Sequence, residues 1–333
     1  MGIGGIGGGM FLALEGSHTL GREESRAARL LGARDACKLH IVAHHVAVLL
    51  GADPSGSPFH VVALGDVGDD ATGQWALAEM AASGIDTDLV RVRPDRPTLF
   101  SVCFRYPDGS GGNVTTLDSA AAALTVADVD ALEPLLAAAG SRAIALAAPE
   151  VDLAPRRRLL ELARAHGNLG VASFVSGEVA AARDDGMCSL ADLVALNADE
   201  AESLTGRAFA PEDAVTIGAS RLVVTAGARG AWAFSEGRAH HRPAISVDVA
   251  GTAGAGDALL GGVLAAIAAG VPLLPPDGAD PDAFACALDL GVLLAGLSVT
   301  SPHTIHPAAD LDALLAFAER HGVAFAPPLA DVL

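Results

Sequence analysis

Short apolar runs alternate with amphipathic segments along most of the chain, and this alternation restricts the fold more than any single residue does. Phe59 to Gly65, Ala143 to Ala148, Leu169 to Phe174, Leu190 to Leu196 and Leu222 to Thr225 read as strands. Trp75 to Ser83, Arg156 to His166 and Glu200 to Leu204 carry helical spacing. Strands that alternate with helices need crossover connections, so the pattern predicts an α/β fold, a mainly parallel sheet covered on both faces. Pro97 to Tyr106 breaks the pattern with β-branched and aromatic residues, then the turn Pro107 to Gly112 and Asn113 to Leu117, which predicts a hairpin projecting from the main sheet. Together with residues 10–36 it is expected to form a small lid, over segments of about 10–36 and 95–118, on a single domain spanning 1–333.

Composition excludes several classes. Apolar residues make up 51% and charged residues 18%, enough for a substantial core. Twenty-one Lys and Arg against 40 Asp and Glu give a net charge of −19, which repels a phosphate backbone and argues against a nucleic-acid partner. Cys37, Cys103, Cys188 and Cys286 form no CxxC pair, so neither a zinc knuckle nor a disulfide framework is signalled. With no signal-peptide pattern at the start, a cytoplasmic location is the expectation. Ala258 to Leu274, the longest apolar stretch, is interrupted by glycines and a proline and reads as a buried helix, not a membrane span.

The stretch richest in chemistry is Gly251-Thr252-Ala253-Gly254-Ala255-Gly256-Asp257, which opens onto that helix. A Gly/Ala loop admits a ligand close to the backbone, and the helix behind it offers free N–H groups and the positive end of its dipole, a setting for phosphate. Asp257 there can take a proton from an attacking alcohol; it can equally be an ordinary helix N-cap.

Four ordered motifs extend the reading. Thr252, Gly254, Ala255, Gly256 and Asp257 match the D-T-x-G-A-G-D signature of the ribokinase-like, or PfkB, carbohydrate kinases, with Gly251 in place of the first aspartate. Val62 to Gly73 resembles the family's strand and G-x-x-G-x-D-x-x-G turn. Leu196 to Gly206 resembles its N-x-x-E segment, and Val223 to Ala231 its T-x-G-x-x-G nucleotide loop. The resemblance covers roughly residues 60–305. It implies a ribokinase-like three-layer sandwich with a small β lid, and an ATP-dependent kinase acting with Mg²⁺ on a hydroxyl of a sugar or sugar-like molecule. It also implies that Asp257 is the base, with the amides of Ala255, Gly256 and Asp257 beside Gly254 as an anion hole. Asn197 and Glu200 would then position magnesium, Glu200 through water, while Thr225, Gly227, Gly230 and Thr252 border the nucleotide. Read without the family, Asn197 and Glu200 are a polar turn with a first-turn acid, and Thr225 to Gly230 a β-turn.

The substrate end departs from that pattern. The family's aspartate after the first strand is missing from Met1 to Met10, with Glu15 the nearest acid, and Asp35 to Gly51 stands where a G-G-x-x-x-N motif would open a helix. Residues 1–45 form a local cationic island containing Arg22, Arg26, Arg29, Arg34 and the chain's single lysine, Lys38. The expectation is that Lys38, with Arg22 or Arg26, faces an anionic or strongly hydrogen-bonding acceptor; the alternative pairs these cations with Glu23 and Glu24 at helical spacing. His40 and His44 share a helix face, but without a third ligand they read as partly buried, hydrogen-bonded histidines, and no transition metal is expected. Gly251 also weakens the expectation of a monovalent cation, which backbone carbonyls would have to hold.

Other readings compete. Gly2 to Gly7 spells G-x-G-x-x-G, the dinucleotide fingerprint, but lacks the strand that must precede it. A nucleoside acceptor competes with a sugar, and a non-catalytic ligand-binding protein competes with an enzyme. The lid is also the surface on which a homodimer is expected.

Overall fold

The computed structural model describes residues 1–108, 110–210 and 213–333. Thirteen strands lie among them: β1 (Gly2–Ile3), β2 (Gly7–Leu14), β3 (Ala28–Ala36), β4 (Val61–Gly68), β5 (Ile85–Arg93), β6 (Leu99–Arg105), β7 (Gly111–Thr115), β8 (Ile144–Ala147), β9 (Leu169–Ser173), β10 (Leu193–Asn197), β11 (Arg221–Thr225), β12 (Ala231–Ser235) and β13 (Arg238–Arg242). Nine form the main sheet in the order β13-β12-β11-β10-β9-β8-β1-β4-β5, parallel from β11 to β5 and closed at the other edge by antiparallel β12 and β13. Helices cover both faces. Lys38–Leu50, Ala255–Ala268, Ala287–Ser298 and Leu311–Arg320 belong to one core layer, while Leu153–His166 and Ala198–Thr205 belong to the other.

The remaining strands form a second sheet, β3-β2-β6-β7. Its centre is a parallel pairing of β2 with β6, so the hairpin expected to project from the main sheet belongs instead to a separate one. The reason is the edge that β2 presents: it pairs antiparallel with β3 on one side and leaves the other side to β6. The turn expected at Pro107 to Gly112 includes Gly109, which lies outside the described residues. Leu30 and Val114 stand exposed on this sheet.

The glycine run at the start of the chain serves packing. Gly2 and Ile3 are β1 itself, an interior strand between β8 and β4, and a Cβ on Gly2 would lie 2.7 Å from Leu39 Cδ1, so the helix Lys38–Leu50 rests directly on it. That helix also packs on Ala255–Ala268, where a Cβ on Gly261 would come within 2.8 Å of His45 Cβ. Ala255–Ala268 is buried almost all round, which a helix without a polar face requires. It ends at Ala268, short of the Leu274 expected from the apolar run. None of the described helices is long and apolar enough to cross a membrane, and all four cysteines are buried and unpaired.

His40 and His45 are completely buried, and neither ring nitrogen of either has a partner among the described residues. Of the two histidines expected to be partly buried and hydrogen-bonded, His40 is fully buried with neither ring nitrogen partnered and His44 is partly buried with Nδ1 unpartnered among the described residues, because the neighbouring helix and Trp75, whose indole N–H is also unpartnered, supply packing without acceptors. Burial lowers His40 and His45 to about 3 and His44 to about 4. The unfolded chain takes up protons below its histidine pKa of about 6.5 while the native state cannot. These three groups therefore stabilise fully above that pH, and their contribution is lost as pH falls toward the native values. Each contributes about 1.4 kcal/mol of lost stability per pH unit in that window. Asp35, Glu150 and Glu200, carboxyls that burial pushes up, oppose the trend. His40→Leu and His45→Leu are expected to flatten the acid side of the Tm–pH profile relative to wild type in calorimetry from pH 7.5 to 5. A variant profile parallel to wild type contradicts this account.

Candidate active site

The functional side chains gather at the carboxyl ends of the parallel strands, where the chain turns from one direction of strand addition to the other. From β1 it proceeds to β4 and β5, then returns to β8 on the opposite side, so a crevice opens between the ends of β1 and β8. Glu150 stands at that point. Gly5 N–H donates to Pro149 O at 3.0 Å, and a Cβ on Gly5 would fall 2.6 Å from Glu150 Oε2, so only glycine leaves room for this carboxyl. Glu150 itself has φ of 74°, a left-handed conformation that costs a residue with a side chain of this kind about 1–2 kcal/mol. Its Oε2 accepts from the Lys38 N–H at 3.1 Å, at the start of the helix Lys38–Leu50. Desolvation pushes the carboxyl up to about 7.

Asp257 is the third residue of Ala255–Ala268, whose N-cap is Gly254 with no side-chain cap bond. The N-cap reading of Asp257 therefore fails, since its carboxylate is turned toward Lys38. Lys38 Nζ lies 3.4 Å from Asp257 Oδ2, and the two side chains are 31% and 13% exposed. The Asp257 charge is the largest of the influences that raise Lys38 above the ordinary lysine range, so the ammonium stays charged. Along the loop, Ala255 N–H donates to Thr252 O at 3.3 Å, while the Gly256 and Asp257 amides have no acceptor among the described residues. A Cβ on Gly256 would lie 3.7 Å from Thr225 Oγ1, which brings the end of β11 beside the same loop.

Asn197 and Glu200 close a reciprocal cap at the end of β10: Glu200 N–H donates to Asn197 Oδ1 and Asn197 N–H to Glu200 Oε2, both at 2.8 Å. Their structural reading therefore holds, while Glu200 Oε1 is left outside the cap. Burial raises the Glu200 carboxyl, which the Lys38 and Asp257 charges also influence. Gly227 and Gly230 form the tight turn between β11 and β12, with Ala226 N–H donating to Gly230 O at 2.9 Å. Thr252 is exposed on the rim. A Cβ at Gly251 would meet Ser301 O at 3.2 Å and Pro302 Cα at 3.3 Å, so the loop after Ala287–Ser298 fills the space an aspartate would need.

The structure brings Lys38 to Asp257 but leaves Arg22, Arg26 and Glu15 in the connection between β2 and β3. There Arg26 binds Glu24 at 2.6 Å and the His18 carbonyl, Glu15 pairs with Arg29 at 3.1 Å, and Arg22 is exposed. The segment is not helical, so the spacing argument for Glu23 and Glu24 does not apply to it. Three residues were missed as site members. Glu150 carried only the signal of an acid just past an apolar strand, and Asp35 that of an acid just before a buried helix. Arg105, at the end of β6, reaches the Ala250 carbonyl beside the anion loop at 3.5 Å.

A parallel α/β sheet with a carboxylate and free amides at a glycine-lined helix entrance, together with a smaller second sheet, frames the candidate site. Residues 42–311 match the family described as pfkB family carbohydrate kinase, and the chain belongs to that family. It is 26% identical over 275 residues to a 2-dehydro-3-deoxygluconokinase of Thermoproteus tenax, covering 79% of this chain and 83% of that protein. A second relative, the uncharacterized sugar kinase YegV of Escherichia coli K12, is 40% identical over 88 residues, or 24% of this chain and 27% of that protein. The match therefore spans about a quarter of YegV. Ribokinase of Thermotoga maritima superposes with a TM-score of 0.69 at 18% identity, over 96% of this chain and 98% of that one.

Proposed function

We propose that this protein transfers the terminal phosphoryl group of ATP to a hydroxyl of a sugar or sugar-like molecule. The observation that carries the reading is the placement of Asp257, one turn inside a helix entrance whose Gly256 and Asp257 amides are free. Asp257 takes the proton of the acceptor hydroxyl as its oxygen attacks the γ-phosphorus. The new P–O bond forms as the bond to the β-phosphate oxygen breaks, ADP leaves, and the proton passes from Asp257 to solvent. The free amides hold the equatorial oxygens of the transferring group and add no reorganisation cost at that moment. Lys38 fixes one oxygen of Asp257, so the other is aimed and available.

The donor set is all oxygen, with Glu200 Oε1 outside its cap and Glu150 and Asp257 nearby, which suits a hard cation such as Mg²⁺. When bound, Mg²⁺ would neutralise phosphate charge, with Glu200 holding it through water. Thr225, beside Gly256 at the end of β11, and Gly227 and Gly230 in the turn that follows would border the nucleotide. Closure of the second sheet would exclude water that otherwise hydrolyses ATP.

The test is an ADP-release assay on the full chain with ATP, Mg²⁺ and a panel of sugars, sugar acids and nucleosides, with and without potassium. Acceptor-dependent release is expected for at least one polyol. Release with nucleosides alone would favour a nucleoside kinase, and nucleotide binding without any release would favour a non-catalytic protein.

A further inference from the structure

We propose that the protein carries a second ligand site, for a small organic monocarboxylate with an apolar body, at the amino ends of the parallel strands. A cavity of about 270 Å³ opens there, between the starts of β9, β10 and β11 and the last turn of the helix Ala255–Ala268. This is the end of the sheet opposite the candidate active site. Arg221 and Thr225 sit at the two ends of β11, about 13 Å apart along the strand. Along the helix, about 15 Å of axis separates Asp257 from Ile267, which lines the cavity.

Sheet register builds the polar wall. Arg221 of β11 stands directly opposite Ser235 of β12, and Ser235 directly opposite Arg238 of β13. Opposed residues point to the same face, so the three side chains form a row, with the arginines two strands and about 10 Å apart and the hydroxyl between them. Leu169, Leu193, Ile267 and Val271 supply the apolar wall.

The row is short of acceptors. Arg221 is half-buried, and its side chain makes no hydrogen bond, ion pair or ring contact among the described residues. The Ser235 hydroxyl has no partner among them either. Arg238 binds Pro275 O at 2.9 Å and Asp277 at 3.0 Å, but the Asp277 side chain is 91% exposed, and a surface pair of that kind exchanges readily for another anion. A guanidinium beside an apolar wall has given up part of its water, and no protein oxygen replaces it at Arg221. A carboxylate does so with two parallel hydrogen bonds, the geometry that the arginine fork fits.

Charge and volume narrow the class. Glu236 also lines the cavity and pairs with neither arginine, so a doubly charged phosphate ester meets a carboxylate as well as the guanidinium, whereas a monocarboxylate is matched by Arg221 alone. The carbonyls that end Ala255–Ala268 do not oppose the ligand, because the amides of Ala269, Gly270 and Val271 already occupy those of Ala265, Ile267 and Ala266. The volume holds about nine groups the size of a water molecule, which is a carboxylate on a body of about six carbons.

The test titrates the full chain by calorimetry with isocaproate, its neutral amide isocaproamide and phenyl phosphate, with and without ADP, for wild type, Arg221→Gln and Arg238→Gln. Wild type is expected to bind isocaproate one to one with a Kd of about 1 mM or below, unaffected by ADP, and to bind the other two more weakly. Arg221→Gln is expected to raise that Kd about 10- to 150-fold, as for loss of a hydrogen bond to a charged group. Arg238→Gln should raise it by a smaller factor, so the test survives if Arg221→Gln does not fold. Absence of saturable isocaproate binding in wild type overturns the proposal. So does equal binding of the amide, tighter binding of phenyl phosphate, displacement of isocaproate by ADP, or an unchanged Kd in the folded variants. None of these outcomes depends on the kinase reading, which the ADP-release assay tests separately.

Discussion

Asp257→Asn is expected to lower kcat for phosphoryl transfer by about 10²- to 10⁴-fold, the range of a general base, while the KM for ATP stays near wild type. The substitution keeps the shape of the side chain at the third position of Ala255–Ala268 and leaves the Gly256 amide free. It removes the ability to hold a proton, and it replaces one acceptor of the Lys38 ammonium by a weaker one. On the proposed reading the nucleotide is met by backbone and by the end of β11, which the change does not touch. Steady-state ADP release and nucleotide binding by calorimetry separate the two quantities. Retention of wild-type kcat would remove Asp257 from the chemistry.

Gly254→Ala is expected to cost about 10²- to 10³-fold in kcat, comparable to loss of an oxyanion-hole donor. Gly254 has φ of 79°, and a Cβ there would lie 2.6 Å from Thr304 O and 3.0 Å from Thr304 Cα, so backbone must move. The displacement propagates, because Thr304 Oγ1 accepts from the Ala36 N–H at 2.8 Å, next to Asp35. Gly270→Ala is the control: φ is 89°, but nothing lies within 4 Å of the added carbon. It carries a similar backbone cost of about 1–2 kcal/mol and should lower Tm without the kinetic loss. Equal kinetic effects from both variants would mean that strain, not the anion loop, limits the rate.

Part of this site was legible from spacing alone. The loop Gly251 to Asp257 needs its glycines and its acid within seven consecutive residues, and the Asn197–Glu200 and Thr225–Gly230 segments are similarly local, so their motifs survive in one dimension. The parallel sheet was legible for the same reason, since period and turn chemistry are properties of neighbouring residues. The residues that complete the site were not. Lys38 is distant from Asp257 in sequence, and only the packing of Lys38–Leu50 on Ala255–Ala268 brings them to 3.4 Å. Arg22 and Arg26 carry the same charge as Lys38 and lie close to it in sequence, yet they end in a surface connection. A charge count over residues 1–45 cannot separate them, because charge has no direction until the backbone assigns one.

The amino-acid order by itself determined the alternating α/β layers, the glycine loop with its aspartate at a helix entrance, and the Asn197–Glu200 and Thr225–Gly230 turns, since each is a short-range pattern of backbone geometry and helix polarity. Only the tertiary structure decided that β2 and β6 pair to make a second sheet, that Glu150 meets the start of the helix Lys38–Leu50, that Asp35 joins β3 to β6, and that Lys38 is held by Asp257. Those outcomes depend on long-range pairing and on how closely glycine-lined surfaces approach, and neither leaves a periodic trace in the chain.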